Sequence, residues 1–245
     1  MQAVGEHYPL ADSAVSRDAR AAIRLWVVVP AYNEAATIAE VLVSLRNIRC
    51  QVAVVDDGST DNTADLAAAA GVVVLRHIVN LGQGAALQTG IQYALRNGGT
   101  HICTFDADGQ HSVESISTLL NVLRSSHSDV VIGSRTLGSA IGMPLSKRVL
   151  LKLALFFTRL HCKLPLTDTH NGLRMMTRAA AERLRIRQSR MAHASEILRQ
   201  IQDNGMKFTE APVTINYTRY AVRKGQSVFG ALRILADLFY ARWTQ

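Results

Sequence analysis

Two carboxylates one residue apart, Asp106 and Asp108, stand directly after the short apolar run His101-Ile102-Cys103-Thr104-Phe105. A run of that kind ends a buried strand, and in an open α/β sheet ligands sit in the crevice outside the carboxyl ends of the strands. Carboxylate oxygens placed there can hold a hard divalent cation that also touches phosphates. An isolated Asp-Xaa-Asp serves equally well as a polar strand-to-helix turn, so its surroundings have to decide. Three more polar turns follow apolar runs in the same manner: Pro30-Ala31-Tyr32-Asn33-Glu34, Asp56-Asp57-Gly58-Ser59-Thr60-Asp61-Asn62-Thr63 and Asn80-Leu81-Gly82-Gln83-Gly84. Turn formation and helix capping explain the Ser, Thr and Asp-Gly pieces. They do not explain why acids, a Tyr and a Glu collect at successive strand ends.

The elements that must position these groups are legible from periodicity. Apolar runs at Leu25–Val29, Val52–Val55, Val72–Leu75, Ile102–Phe105 and Asp129–Gly133 alternate with helical spacing over Glu34–Leu45, Thr60–Ala70, Gly84–Leu95 and Ser112–Leu123. Runs that are apolar throughout belong to strands covered on both faces, and intervening helices imply right-handed crossovers. The predicted fold class is therefore α/β, Rossmann-like, with a mostly parallel sheet flanked by helices and all four polar turns on one edge. Gly82-Gln83-Gly84-Ala85-Ala86-Leu87 superficially matches a dinucleotide fingerprint, but Leu87 occupies the third small position and the unit is the third β-α pair. A tight turn opening a helix N-terminus to phosphate is the better reading.

The chain of 245 residues carries a net charge of +8, unevenly spread. Residues 1–130 hold 8 Lys+Arg and 13 Asp+Glu, a balance of −5; residues 131–245 hold 19 and 6, a balance of +13. A basic second half points to anionic partners or an acidic membrane surface. Its few aromatics, set against an acidic sheet edge, argue against nucleic acid. Residues 1–24 lack the apolar stretch of a secretory signal and read as an N-terminal extension. Cys50, Cys103 and Cys162 are widely spaced, as expected of reduced thiols in a reducing, cytoplasmic compartment. After Gly133-Ser134-Arg135 the alternation stops. A short helix over Arg148–Leu160 has a broad apolar face with Lys147, Arg148, Lys152 and Arg159 around it. Then come the polar Thr167–Arg174, a helical pattern over Arg178–Leu184, a helix at Ala194–Ile201 holding Glu196, and short strands at Phe208 and Val213–Tyr217. Last is Arg223-Lys224-Gly225-Gln226-Ser227 before an amphipathic helix, residues 228–245. No apolar run reaches the about 18 residues of a bilayer span, but both amphipathic helices suit either an interface or the core.

With those residues in place, the chain resembles the inverting family-2 glycosyltransferases of the GT-A fold, in particular the dolichyl- or polyprenyl-phosphate mannose synthase-like group. The pieces that carry the resemblance are Pro30–Glu34, Val55–Asp61, Asn80–Gly84, Asp106–Gln110, Gly133–Arg135 and Arg223–Ser227, in that order. It implies one domain over residues 25–227, with a donor half at 25–135 and an acceptor half at 136–227. It implies that Pro30, Tyr32, Glu34, Asp56, Asp57, Gly82 and Asp106 bind the nucleotide of a nucleoside-diphosphate sugar. Asp106, Asp108 and Gln110 would hold Mg²⁺ or Mn²⁺. Arg135, Arg174, Arg223 and Ser227 would face phosphates of donor or acceptor, and Asp106, Asp108, Arg135, Glu196 and Arg223 would act in catalysis. The implied acceptor is a lipid phosphate, or else a glycan hydroxyl that needs Glu196 as base. Gln83 stands where many relatives have Lys, and the wording His170–Arg174 departs from the group. The enzyme would work from the cytoplasmic face as a peripheral membrane protein, and a homo-oligomer is compatible with it. Outside the class, a sugar-nucleotide nucleotidyltransferase would use a similar sheet, but no Gly-rich, Lys-bearing triphosphate loop follows the first strand.

Overall fold

The structure, a computed structural model, describes residues 22–162, 165–168, 171–188 and 192–217, with only the backbone described at residue 150 and residues 157–162. The expected extension up to residue 21, Arg223, Ser227 and the helix at 228–245 lie outside the described residues. Among the described residues seven strands and seven helices run β1 (Leu25–Ala31), α1 (Ile38–Leu45), β2 (Gln51–Asp56), α2 (Thr63–Ala69), β3 (Val73–Arg76), α3 (Gln83–Arg96) and β4 (His101–Thr104). They continue with α4 (Glu114–Ser126), β5 (Val130–Ile141), α5 (Leu145–Cys162), β6 (Arg174–Thr177), α6 (Arg178–Arg183), α7 (Ala192–Asp203) and β7 (Phe208–Asn216).

All seven residues of β1 are buried, and alternate side chains enter two different cores. Leu25, Val27 and Val29 meet Ile38, Leu42 and Leu119 on one face of the sheet. Trp26 and Val28 meet Leu87, Ile91 and Ile197 on the other. This is why the strand reads as one continuous apolar run. The sheet order is β3-β2-β1-β4-β6-β5-β7, with every neighbouring pair parallel except β4-β6 and β6-β5. The mostly parallel sheet of the sequence reading is therefore present.

β6 is the element the sequence does not announce. Its four residues, Arg174-Met175-Met176-Thr177, are too few to show a period, and they slot antiparallel between β4 and β5. The insertion sets Arg174 opposite both Thr104 and Ile132, at the edge where β4 ends. The two short strands expected at Phe208 and Val213–Tyr217 are one strand, β7, paired along β5 with a register shift between Ser134 and Ser139. Its far end returns to the edge: Ile215 bridges His111, and the Asn216 amide donates to the Gln110 carbonyl at 2.8 Å.

Helix α3 lies close on the sheet because Gly90 has no side chain. A Cβ there would stand 2.3 Å from Val28 Cγ1 and 3.0 Å from Val55 Cγ2, both in buried strands. Gly90→Ala is expected to lower stability by about 1–3 kcal/mol through overpacking, measured as an earlier urea midpoint with an unchanged slope.

Candidate active site

The first two polar turns are bolted together. Asn33 takes a positive φ of 53°, and its amide donates to Ser59 Oγ at 2.9 Å while its side-chain oxygen accepts from the Thr60 amide at 2.9 Å. The Glu34 amide donates to Thr63 Oγ1 at 2.8 Å. Pro30 is buried, Glu34 is half-buried and Tyr32 is exposed, so the turn offers a ring and a carboxylate to the edge. Asp56 and Asp57, expected to meet a base and ribose, are both buried and already engaged. Asp56 accepts from the Ser59 amide at 3.2 Å and forms an ion pair with Arg76 at 3.1 Å. Asp57 accepts from the Leu81 amide at 3.0 Å, the Gly82 amide at 2.7 Å and His77 Nδ1 at 2.7 Å, fixing the loop that leads into α3. Gly82 begins that helix at a φ of 96°, a conformation that favours glycine.

That loop delivers Gln83 to the acid pair, where its amide nitrogen donates to Asp106 Oδ1 at 3.1 Å. The Lys-to-Gln departure therefore exchanges a charge for a hydrogen bond that aims Asp106. His111 Nε2 stands 3.0 Å from Asp106 Oδ2, and with Asp106 ionised it donates there. The glycine at 172 approaches so closely that a Cβ would lie 2.1 Å from Asp106 Oδ2. Asp108 accepts the Gln110 amide at 3.0 Å and the Gln110 side-chain nitrogen at 2.5 Å, which leaves the Gln110 amide oxygen as a further donor atom. The two acids titrate apart. Burial works to raise Asp106, but the hydrogen bond from His111, with the charges of His111, Arg174 and His193, holds it below the ordinary carboxylate value. Burial, then repulsion from Asp106, pushes Asp108 above it.

Among the described residues no three His, Cys, Asp or Glu side chains converge into a ready-made metal cage. Two carboxylates and an amide oxygen nevertheless fit Mg²⁺ or Mn²⁺, hard ions that keep part of their shell for substrate phosphates. The upward push on Asp108 is also the electrostatic cost that a cation between the two acids would remove.

Arg135, Asp168, Tyr217 and Lys147 form a second centre. Arg135 Nε donates to Asp168 Oδ2 at 2.6 Å and Nη1 to the Tyr217 hydroxyl at 2.7 Å. Burial opposes its charge, but Asp168 and Tyr217 keep the guanidinium protonated. Asp168 and Thr167 are held in turn by Glu210. Beside them a cavity of about 320 Å³ has a mixed lining that includes the charged Arg135, Arg148, Lys152 and Asp168 and the apolar Met143, Leu151 and Leu155.

Arg174, expected to face a phosphate, and Glu196, expected on the acceptor side, are both buried. Arg174 is fully buried, with Nε and Nη1 making no hydrogen bond among the described residues. It supports the acid centre through charge. Glu196 is buried and accepts the backbone amides of Arg187 at 3.0 Å and Gln188 at 2.8 Å, so its carboxylate ties down the segment before α7. His77, His111, Lys147, Tyr217 and the glycine at 172 are site residues that the motifs alone do not single out. His111 closes the Asp106–Gln110 stretch, so adjacency was the available signal.

A mostly parallel sheet with an acid pair and a locked polar turn on its carboxyl edge is the architecture of a GT-A glycosyltransferase. The profile of Glycosyl transferase family 2 matches residues 26–185, and the chain belongs to that family. It is 30% identical to the UDP-N-acetylglucosamine–dolichyl-phosphate N-acetylglucosaminyltransferase of Methanococcus voltae, over 87% of this chain and 94% of that one. It is 28% identical to the polyprenol monophosphomannose synthase of Mycolicibacterium smegmatis, over 82% of this chain and 80% of that one. Its fold is similar to glucosyl-3-phosphoglycerate synthase from Mycobacterium tuberculosis in complex with Mn²⁺, UDP and phosphoglyceric acid. That likeness has a TM-score of 0.65 at 18% identity, over 89% of this chain and 78% of that one. The chain is thus a glycosyltransferase with relatives named as polyprenyl-phosphate sugar transferases.

Gly172→Ala pushes a methyl group into the Asp106 carboxylate. Turnover is expected to fall by about 100-fold, as for a misplaced reacting group, with a circular-dichroism spectrum like that of the wild type. Undiminished turnover would show that the position of Asp106 does not matter.

Proposed function

We propose that the chain transfers a sugar, with inversion, from a nucleoside diphosphate to the phosphate of a polyprenyl carrier, with Mg²⁺ or Mn²⁺ held by Asp106, Asp108 and Gln110. The observation that carries this reading is the juxtaposition of two chemistries. An oxygen-donor acid pair adjoins a cavity whose lining mixes cations with apolar side chains, and the end of β7 links them through Asn216 and Tyr217. A phosphate on an isoprenoid chain is the acceptor that such a cavity matches. The names of the relatives from Methanococcus voltae and Mycolicibacterium smegmatis support the same class.

In this mechanism Pro30, Tyr32 and Glu34 flank the base and ribose, while Asp56 and Asp57 act one step back by fixing the turns. When bound, a divalent cation neutralises the charge that develops on the departing diphosphate. Arg135, set by Asp168 and Tyr217, aims the acceptor phosphate. One phosphate oxygen forms the bond to the anomeric carbon as the bond to the β-phosphate breaks, and the electron pair leaves with the nucleoside diphosphate. The nucleophile is already anionic, so no proton moves. Both Asp168 and Glu196 are occupied by N–H donors, which fits a reaction without a carboxylate base. Arg223 and Ser227, outside the described residues, are further phosphate contacts in this proposal.

A panel of sugar nucleotides with Mg²⁺ or Mn²⁺ and a polyprenyl phosphate is expected to release nucleoside diphosphate and yield the lipid-linked sugar. Asp108→Asn is expected to cost about 100-fold in kcat, and chelation to abolish turnover. Product formed only on hydroxyl acceptors, and lost in Glu196→Gln, would replace the lipid phosphate with a glycan acceptor.

The acceptor also implies a membrane surface. Leu145, Val149, Leu153 and Phe156 recur along α5 and are all exposed, with Leu137 and Ile141 exposed on β5 and the cations Arg148 and Lys152 beside them. No helix among the described residues is long and apolar enough to cross a bilayer, so α5 would lie in the interface. Each near-surface cation adds about 1 kcal/mol on anionic lipid. The protein is expected to float with phosphatidylglycerol vesicles, and the pair Val149→Asp and Leu153→Asp to remain unbound while still turning over a short, water-soluble prenyl phosphate.

A further inference from the structure

Lys147 occupies a position that its charge alone does not explain. It lies in the first turn of α5, where no acidic residue precedes it and Arg148 follows. A cation there opposes the helix dipole, which favours negative charge at an N-terminus. Its ammonium sits 4.7 Å from the centroid of the Tyr217 ring, and among the described residues it makes no ion pair. The same Tyr217 accepts Arg135 Nη1 through its hydroxyl. One aromatic side chain thus gathers two cations, the guanidinium on its oxygen and the ammonium on its face. Asp168 answers Arg135 at 2.6 Å, whereas Lys147 has no such direct partner among the described residues. Burial and the charge of Arg135 both disfavour the Lys147 ammonium, while Asp108 favours it, which puts Lys147 in the field of both the acid pair and the arginine.

Two like charges gathered on one aromatic side chain, one of them lining the cavity, mark a place for an anion. We propose that Lys147 is a further catalytic residue, a second cation on the acceptor phosphate, held by the Tyr217 ring between Arg135 and Asp108. This rests on the lipid-phosphate reading above and deepens it. Arg135 fixes the phosphate from the Asp168 side. Lys147 contacts it from the side of the acid pair and turns the attacking oxygen toward the donor. During transfer the acceptor phosphate loses one negative charge as it becomes a diester, and the departing diphosphate gains one. A flexible ammonium between the two centres follows that displacement better than a guanidinium fixed by a carboxylate. Tyr217 is the positioning residue: its ring holds Lys147 and its hydroxyl holds Arg135.

The test uses the full chain with a short-chain prenyl monophosphate, measured both by calorimetric binding and by steady-state turnover. Lys147→Gln is expected to weaken prenyl phosphate binding and raise its KM by about tenfold or more, the loss of one charge-assisted hydrogen bond, with the donor KM unchanged. Lys147→Arg is expected to recover most of that loss. Tyr217→Phe keeps the ring and is expected to spare the Lys147 effect, whereas Tyr217→Leu combined with Lys147→Gln is expected to be no worse than Tyr217→Leu alone. Wild-type-like prenyl phosphate binding and KM in Lys147→Gln overturn the proposal and leave the lipid-phosphate acceptor intact. A wild-type protein that neither binds nor uses prenyl phosphate, yet turns over a hydroxyl acceptor, overturns both. If Lys147→Gln does not fold, Lys147→Met decides by the same binding measurement, and equal affinity again overturns the role.

Discussion

The site depends on keeping Asp106 ionised while it is largely covered by protein. Removing a carboxylate from water is costly unless donors and positive charge replace the lost solvation. Here His111 and Gln83 supply hydrogen bonds to its two oxygens, and the buried Arg174 supplies charge. Each comes from a different part of the chain: Gln83 opens α3, His111 lies beyond β4, and Arg174 starts the antiparallel β6. Folding the sheet correctly and charging the site correctly are therefore one problem. The glycine at 172 belongs to the same constraint, because only a residue without a side chain lets β6 reach the position from which Arg174 acts.

The same logic explains the split between the halves. The acid edge is preformed around backbone amides, with Asp57 holding the Leu81 and Gly82 amides and Asp108 the Gln110 amide. The basic half is built from side chains that share partners, as Asp168 serves Arg135 and Glu210 serves the amides of Thr167 and Asp168. The strand pair β5-β7 is the mechanical link, since it carries Arg135 on one strand and, just past the other, Tyr217.

The sequence made the parallel units legible because strands buried on both faces read as near-continuous apolar runs, as β1 does throughout and β2 does over Val52–Val55. It also made the collection of acids at the strand ends legible, because Asp56 with Asp57, and Asp106 with Asp108, come at the ends of apolar runs. β6 stayed hidden since four residues carry no period, and its partner strands are distant in the chain. The burial of Arg174 and Glu196 was not legible for a related reason. A motif gives a residue's type and order but not whether it faces the cleft or lies beneath it, and burial reverses what a charge can do. Lys147 was visible only as one of several cations around an amphipathic helix, since the Tyr217 ring that captures it lies 70 residues further on.

Donor and acceptor chemistry make opposite electrostatic demands, and the fold meets them with one sheet edge. On the proposed reaction the diphosphate would need positive charge from a cation on Asp106 and Asp108, whereas an acceptor phosphate would meet the permanent cation Arg135. An acceptor bound first would thus be attracted by Arg135, Lys147 and Arg148 but repelled by the bare acid pair. A divalent cation held by Asp106 and Asp108 would offset their two charges and so lower that repulsion. On the proposed reaction, the placement of the charges would therefore favour metal binding ahead of the lipid, without any moving part.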